Sequence, residues 1–205
     1  MKILKNEFLN AFGPFDHGVW NIKRNSKNIN LFHKRSEYLL RKISEVLLSK
    51  FTKKELKNKK IIDIGCYDAW LIYHLNKKFN FKKVVGIEPR KKNIDKGIIA
   101  RKIYNKKNFK VKLIQSDINN FNNKLKKEKF DIVICVGVLH HVSSTIHSVE
   151  KICKASRNLV ILDSMVIDEP SKNHAKEILH LLNFPHPILE AQYLRMSSYF
   201  SSFFL

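Results

Sequence analysis

The chain has 205 residues, of which 44% are hydrophobic and 28% charged, and its formal net charge is +21. This length and composition favour a single globular domain and exclude a disordered or fibrous chain. The charge raises the question of a polyanionic partner. Yet 32 of the 39 basic residues are lysine, and arginine is the residue preferred for bidentate phosphate contacts. Two interpretations stay open: a solvated lysine-rich surface and a nucleic-acid-binding face.

Compartment signals indicate a cytoplasmic protein. No apolar run approaches the roughly 18 residues that cross a bilayer, so we predict no membrane partner. The N-terminus, MKILKNEFLNAFG, lacks the apolar core of a signal peptide. Cys66, Cys135 and Cys153 form no C-x-x-C pair. We therefore expect a reducing compartment, no disulfide framework and no bound metal.

The predicted elements alternate between strands and helices after an N-terminal segment. Apolar residues between 34 and 51 recur with helical spacing, so residues 1–57 are predicted to form an N-terminal cap with a helix. The predicted strands are 60–65, 83–88, 109–115, 130–137 and 158–167, and the predicted helices are 68–79, 91–104, 120–128 and 145–156. This order predicts an α/β fold over residues 58–205, a doubly wound and mostly parallel sheet with helices on both faces.

Ligands of such sheets bind at the carboxyl ends of the strands, and the first two predicted strands end in suggestive residues. Gly65-Cys66-Tyr67-Asp68 follows the first strand and leads into a helix, whose free backbone amides suit an anionic or polar group. Glu88 and Pro89 close the second strand. An acidic residue about 20 positions beyond the turn is placed to accept hydrogen bonds from ribose hydroxyls.

The third and fourth strands end in the same way. Asp117 and Ile118 follow the third strand, where a carboxylate with an apolar neighbour could hold an adenine amine and its ring. Asp117 could equally cap the following helix. The fourth strand ends at Val136 and Gly137, and His140 and His141 follow shortly after.

Together these motifs resemble the class I S-adenosylmethionine (SAM)-dependent methyltransferase family over roughly residues 58–168. The matching residues are Asp63-Ile64-Gly65-Cys66, Glu88, Asp117 and Gly137-Val138-Leu139-His140-His141. The resemblance implies SAM as the cofactor. It places Gly65 and Tyr67 at the methionine end, with Asp63 supporting the turn, and Glu88 at the ribose. It places Asp117 with Ile118 at the adenine, and Val136, Gly137 and His140 at the methyl-transfer pocket. Cys66 and Pro89 are expected among the cofactor-binding residues. If the acceptor must lose a proton, His140 is the candidate catalytic base, and His141 is expected to be structural.

Two residues depart from the family pattern D-x-G-C-G-x-G. Ala69 at the third glycine adds one methyl group, whereas Tyr67 stands where the second glycine permits a positive φ or a close approach to the cofactor. A tyrosine can serve there if its side chain points away from the cofactor. The dinucleotide pattern G-x-G-x-x-G would need glycines at 65, 67 and 70, so Tyr67 and Trp70 disfavour NAD.

The N-terminal stretch FGPFDHGVWNIKRNSKNINLF (12–32) has two interpretations. It is a lid in which Trp20, Lys23 and Arg24 face the acceptor, or a cap that covers an apolar edge of the sheet. Together with GVLHH it resembles the subgroup of methyltransferase-like enzymes that transfer a carboxymethyl group to the wobble uridine of tRNA. In that subgroup the loop reads G-V-L-Y-H, so His140 would replace a pocket tyrosine.

The C-terminal stretch is predicted to contain a helix at 172–182 and room for at most one further strand. Its last residues, SSFFL, would be unusual on an exposed surface. We expect either that this end is buried, in a homodimer for example, or that part of the C-terminal hairpin is missing.

The sequence therefore predicts a SAM-dependent methyltransferase whose acceptor is a small molecule or, second, RNA. The alternative is a non-catalytic nucleic-acid-binding domain with a degenerate SAM site, which Tyr67 and the +21 charge would jointly explain. A NAD-dependent oxidoreductase is the third candidate.

Overall fold

A computed structural model of the chain describes residues 27–103 and 111–164, with side chains from 36–102 and 111–164. The helices are α1 (Lys27–Lys50), α2 (Lys53–Leu56), α3 (Trp70–Phe79), α4 (Lys91–Ile103), α5 (Phe121–Lys124) and α6 (Thr145–Ala155). The strands are β1 (Lys60–Ile64), β2 (Lys83–Glu88), β3 (Val111–Gln115), β4 (Phe130–Val136) and β5 (Ser156–Asp163), and a 3₁₀ turn spans Leu139–His141. No helix in these ranges is both long and apolar enough to cross a membrane.

The five strands form one parallel sheet in the order β3-β2-β1-β4-β5, which confirms the predicted fold. The order reverses at β1, which pairs with β2 on one side and β4 on the other. The chain leaves β1 and β4 in opposite directions, so a crevice opens at their carboxyl ends. The reversal of strand order therefore determines where a ligand site can form.

Successive residues along each strand enter two different cores. In β1, Ile61 belongs to the core under α1 and α3, and Ile62 belongs to the core on the opposite face, which also contains Phe121 and Ile152. The side chains of Ile61, Ile62 and Phe121 are fully buried. A sheet covered on both faces needs apolar residues at every position, which explains the continuous apolar runs in the sequence.

The structure corrects several predicted boundaries. Helix α5 ends at Lys124 rather than 128, because Lys126 and Lys127 adopt φ of 51° and 56° and turn the chain back. Glu128 then reaches Lys60 Nζ at 3.0 Å and Lys83 Nζ at 2.5 Å, at the amino ends of β1 and β2. Two salt bridges across neighbouring strands thus replace the last turn of the predicted helix.

The other differences are small. Helix α3 begins at 70 rather than 68, and β1 and β4 end one residue early because Gly65 and Gly137 adopt positive φ. Strand β5 spans 156–163, two residues earlier at its start than predicted. The predicted strand residues 109–110 and 165–167, the helix at 172–182 and the apolar C-terminus lie outside the described residues.

We expect Gly86→Ala to destabilise the domain by overpacking. A Cβ built on Gly86, in the middle of β2, would lie 2.7 Å from Cys66 Sγ and 2.8 Å from Leu113 Cδ2. Overpacking of this kind costs about 1–3 kcal/mol. Urea unfolding should show the loss as a lower midpoint with an unchanged slope. Adding Cys66→Ala removes one of the two clashing atoms and should recover part of the loss. If Gly86→Ala lowered the free energy of unfolding equally with and without Cys66→Ala, this packing explanation would be wrong.

Candidate functional site

A cavity of about 620 Å³ opens at the carboxyl ends of β1, β2 and β4. This volume lies in the range of small-molecule sites, about 300–1,000 Å³. Its walls come from α1, the turn after β1, the end of β2 and the loop after β4. The lining residues are Ser36, Leu39, Asp63, Gly65, Cys66, Tyr67, Asp68, Trp70, Leu71, Glu88, Pro89, Arg90, Val136, Gly137, Val138 and His141.

The turn after β1 joins three strands at the point where the sheet order reverses. The backbone N–H groups of Gly65 and Cys66 both donate to the carbonyl oxygen of Ile87, at 2.8 and 2.9 Å. A Cβ on Gly65 would lie 2.2 Å from Val138 Cγ2, and Gly65 has φ of +79°. Only glycine meets both conditions at this position. The turn is therefore fixed to β2 and to the loop after β4.

Tyr67 and Ala69 keep the left-handed backbone that glycine would adopt without cost. Their φ values are 52° and 62°. For a residue with a Cβ this conformation costs roughly 1–2 kcal/mol. The departures from the glycine pattern thus leave the path of the turn in place, and the surrounding contacts must supply the energy that holds it.

The Glu88 carboxylate accepts four hydrogen bonds, one of which comes from the turn itself. Its side chain is 2% exposed, and Oε2 accepts from the Tyr67 N–H at 3.2 Å. Oε1 accepts from Arg90 N at 3.1 Å, Arg90 Nε at 3.0 Å and Asn93 Nδ2 at 2.9 Å. A carboxylate oxygen has two lone pairs, so three donors saturate Oε1, whereas Oε2 has one donor and keeps capacity for a further one at the cavity.

Asp63 and Asp68 add buried carboxyl groups to the same wall, with side chains 3% and 1% exposed. Burial raises the pKa of Asp63 to about 7, and the neighbouring Glu88 carboxylate raises it further in the same direction. The Asp68 carboxylate accepts from the Trp70 N–H at 3.2 Å and so holds the start of α3. Arg90 is the one lysine or arginine among the described lining residues. An acidic cavity in a strongly basic chain suits a ligand that carries positive charge.

Cys66 contributes packing rather than reactivity. Its side chain is buried, and desolvation, followed by the charges of Asp63 and Glu88, raises the pKa of the thiol well above its usual value. A thiolate is the nucleophilic form, so this environment disfavours catalysis by Cys66.

The structure gathers most of the predicted site residues in this cavity. Eight of them line it: Asp63, Gly65, Cys66, Tyr67, Glu88, Pro89, Val136 and Gly137. Asp117, Ile118 and His140 are not among the lining residues. Trp20, Lys23 and Arg24 lie outside the described residues.

Asp117 shapes the turn that follows β3. Its Oδ1 accepts from the backbone N–H of Asn119 at 2.8 Å and of Asn120 at 2.9 Å. Burial opposes ionisation of Asp117, but hydrogen bonds from Asn120 and Asn119 outweigh it and lower the pKa of the carboxyl. Ile118 is buried in the core beside β1 and β2. These contacts hold the turn before α5, whose N-cap is Asn120 rather than Asp117, and adenine binding by Asp117 and Ile118 stays a prediction.

The two histidines have exchanged the positions expected from the sequence. His141 lines the cavity, whereas His140 lies with Nδ1 3.4 Å from the Ser164 hydroxyl oxygen. Their ring centroids are 3.9 Å apart. Both histidines are exposed in the 3₁₀ turn over Leu139–His141, and the H-H dipeptide alone carries no signal of which one lines the cavity.

Sequence reasoning also missed the wall that α1 provides. Ser36 and Leu39 line the cavity from α1, and Arg90 lines it from the loop after β2. Spacing along α1 predicts a helix but not the part of the sheet edge that it crosses. Arg90 follows Glu88 and Pro89 directly, so its place beside the cavity could have been read from the sequence.

We expect Asp63→Asn to change the pH dependence of stability. A folded-state pKa above the unfolded value means that the native protein binds the proton more tightly, so stability falls as pH rises. The fall should begin near the ordinary value of 3.8 and level off above about 7. At about 1.4 kcal/mol per pKa unit the full effect is at most about 4 kcal/mol. Urea titrations of the ligand-free protein between pH 4.5 and 8 should show this fall in the wild type and not in Asp63→Asn.

Asp117→Asn is the matched control, because the pKa of Asp117 is lowered in the folded protein whereas that of Asp63 is raised. Its ionised form stabilises the fold above its unfolded pKa, and that contribution disappears as pH falls through the folded value. Parallel pH profiles for Asp63→Asn and the wild type would contradict the proposed ionisation of Asp63.

A family model described as a methyltransferase domain matches residues 55–190, more than half of the chain. Among curated proteins, the chain is similar to a tRNA U34 carboxymethyltransferase of Campylobacter lari, 28% identical over 60% of this chain and 43% of that protein. It is also similar to a ubiquinone biosynthesis O-methyltransferase of Rickettsia bellii, 27% identical over 68% of this chain and 52% of that protein. The chain thus spans about half the length of these relatives.

Solved structures show the same fold. Magnesium protoporphyrin IX methyltransferase from Synechocystis PCC 6803, with bound S-adenosylhomocysteine (SAH), matches with a TM-score of 0.60 at 15% identity, over 91% of this chain and 80% of that one. The same enzyme with bound SAM matches with a TM-score of 0.57 at 15% identity, over 86% and 84%. The family match, supported by the fold, confirms the predicted resemblance: the chain belongs to the methyltransferase domain family, within the SAM-dependent methyltransferases.

Proposed function

We propose that the cavity binds SAM and that the domain transfers the methyl group of SAM to a small-molecule acceptor. The observation that carries the proposal is the buried Glu88 carboxylate, which fixes the turn after β1 and keeps hydrogen-bonding capacity on Oε2 at the cavity. A carboxylate held in this way is preorganised to accept a ribose hydroxyl.

The chemistry of the cavity wall fits this cofactor. SAM supplies a methyl group made electrophilic by a positively charged sulfur. Asp63 and Asp68 provide buried carboxyl groups beside the turn of Gly65 and Tyr67, where we place the methionine end, and a positive charge bound there would favour the ionised form of Asp63. A Cβ on Gly137 would meet no atom within 4 Å, so this position leaves open space in the wall. We place the reacting centre beside Val136 and Gly137.

We propose that the adenine end of SAM lies beside the loop after β3. We keep Asp117 and Ile118 as the proposed adenine neighbours, because they lie in the loop at the carboxyl end of β3. Ser116 adds a buried hydroxyl at the same strand end, and it has no hydrogen-bond partner within residues 27–103 and 111–164. A ligand amine or ring nitrogen would satisfy it.

The chain contributes to methyl transfer mainly by positioning. Holding nucleophile, methyl carbon and sulfur in line supplies much of the acceleration of such reactions. Ser36 and Leu39 on α1 and His141 in the loop after β4 also line the cavity. We propose that the acceptor enters between them, with a histidine of the 140–141 pair taking its proton where one must be removed.

RNA is the second candidate acceptor. It is supported by the Campylobacter lari relative, a tRNA U34 carboxymethyltransferase, and by the net charge of +21. The small-molecule proposal is supported by the ubiquinone biosynthesis relative and by the acidic wall of the cavity, which repels a polyanion.

We further propose that the protein acts in the cytoplasm. All three cysteines fall within the described residues and all are free thiols. Free cysteines persist in reducing compartments.

Calorimetric titration with SAM and SAH tests the cofactor proposal. We expect the wild type to bind both, and Glu88→Gln to bind both at least tenfold more weakly, because one carboxylate oxygen is replaced by an amide nitrogen, which donates hydrogen bonds and cannot accept them. Glu150→Gln, an equal change of charge on the exposed side of α6, is the control and should leave both affinities unchanged. No binding by the wild type at millimolar ligand would overturn the cofactor proposal.

A second experiment compares His141→Ala with His140→Ala. With radiolabelled SAM, we would offer the protein a pool of small metabolites and a pool of total tRNA. For an acceptor that must lose a proton, loss of the base lowers turnover by about 10²–10⁴-fold. We expect this loss in His141→Ala and a change below about threefold in His140→Ala, with SAM affinity retained in both. The reverse order would return the role to His140, and labelling of tRNA alone would favour the RNA acceptor.

A further inference from the structure

Helix α4 makes three separate contacts with the site from one face. Asn93, Lys96 and Gly97 occupy positions i, i+3 and i+4, which lie on the same side of a helix. Asn93 Nδ2 donates to Glu88 Oε1 at 2.9 Å. A Cβ on Gly97 would lie 2.6 Å from the carbonyl oxygen of Asp68, so the helix backbone packs directly against the turn after β1.

Lys96 is the unusual member of this face. Its side chain is 0% exposed, although lysine is almost never fully buried in a folded protein. Its Nζ donates to the hydroxyl oxygen of Tyr67 at 3.4 Å and lies 5.0 Å from the centroid of the Tyr67 ring. Burying an ammonium group is costly, so a purely structural position would favour an apolar residue.

Tyr67 is the residue that stands where the family has its second glycine. Besides Lys96 on one side, its ring has the Arg90 guanidinium carbon 5.9 Å from its centroid. Two cations therefore hold one aromatic ring, and an aromatic ring near a cation gains electrostatic attraction. Tyr67 also lines the cavity, so a different orientation of the same side chain would occupy the space of the ligand.

We propose that Lys96 is a positioning residue that holds the Tyr67 side chain in the cavity wall, so that a tyrosine replaces the second glycine without closing the cofactor site. The inference rests on the proposed SAM site. It predicts that Lys96 matters for ligand affinity only while an aromatic side chain is present at position 67.

The test is a double-mutant cycle in SAH affinity, measured by calorimetry on the full chain. We expect Lys96→Met to weaken SAH binding at least tenfold in the wild-type background, because the released ring enters the cavity. In the Tyr67→Gly background, the same Lys96→Met change should alter affinity by less than about threefold. Lys102→Met, which removes an exposed lysine from the same helix, is the control and should leave affinity unchanged.

Tyr67→Phe covers the case in which Lys96→Met does not fold. The phenylalanine keeps the ring but loses the hydroxyl that Lys96 binds, so we expect it to bind SAH at least threefold more weakly than both wild type and Tyr67→Gly. In that order the residue of intermediate volume binds worst, which does not follow from a simple effect of volume.

The outcomes separate the two proposals. Equal loss from Lys96→Met in both backgrounds, or full affinity in Tyr67→Phe, would overturn the positioning role while the SAM site stands. Binding that appears only after Tyr67→Gly would show that Tyr67 closes the site and would also overturn it. No SAM or SAH binding by any variant would overturn both proposals.

Discussion

The carboxylate of Glu88 connects three parts of the chain that are separate in sequence: the turn after β1, the start of the loop after β2, and the inner face of α4. It accepts four hydrogen bonds from Tyr67, Arg90 and Asn93 while 2% exposed. A buried carboxylate is tolerated only when it is well paired, so these donors are needed for the fold as well as for the site. The cavity keeps its shape because its acidic wall is part of this network.

This arrangement explains how the turn tolerates residues that the glycine pattern forbids. Tyr67 and Ala69 both adopt positive φ, and each does so against the preference of a residue with a Cβ. The strain is offset by the bond from Tyr67 N–H to Glu88, and by the close packing of α4 that Gly97 permits. A strained turn held by its surroundings is common at functional sites.

The acidic groups of the cavity contrast with the large positive charge of the chain. Lysines such as Lys60 and Lys83 sit at the amino ends of the strands, where Glu128 pairs with both. The carboxylates Asp63 and Glu88 lie towards the opposite ends of β1 and β2. Net charge is thus a poor guide to the ligand, because the field inside a cavity depends on the few groups that line it.

The sequence by itself determined the sheet, its parallel direction and the residues at its carboxyl edge. Continuous apolar runs specify doubly covered strands. Gly65 and Gly137 directly follow their strands and Glu88 is the last residue of its strand, so local order along the chain was sufficient. Only the tertiary structure decided which of the remaining residues meet. Lys96 reaches Tyr67 across 29 positions because α4 packs on the turn, and α1 brings Ser36 and Leu39 to the cavity. His141 rather than His140 lines the cavity for the same reason: orientation in a short turn depends on what packs against it, and periodicity carries no record of that contact.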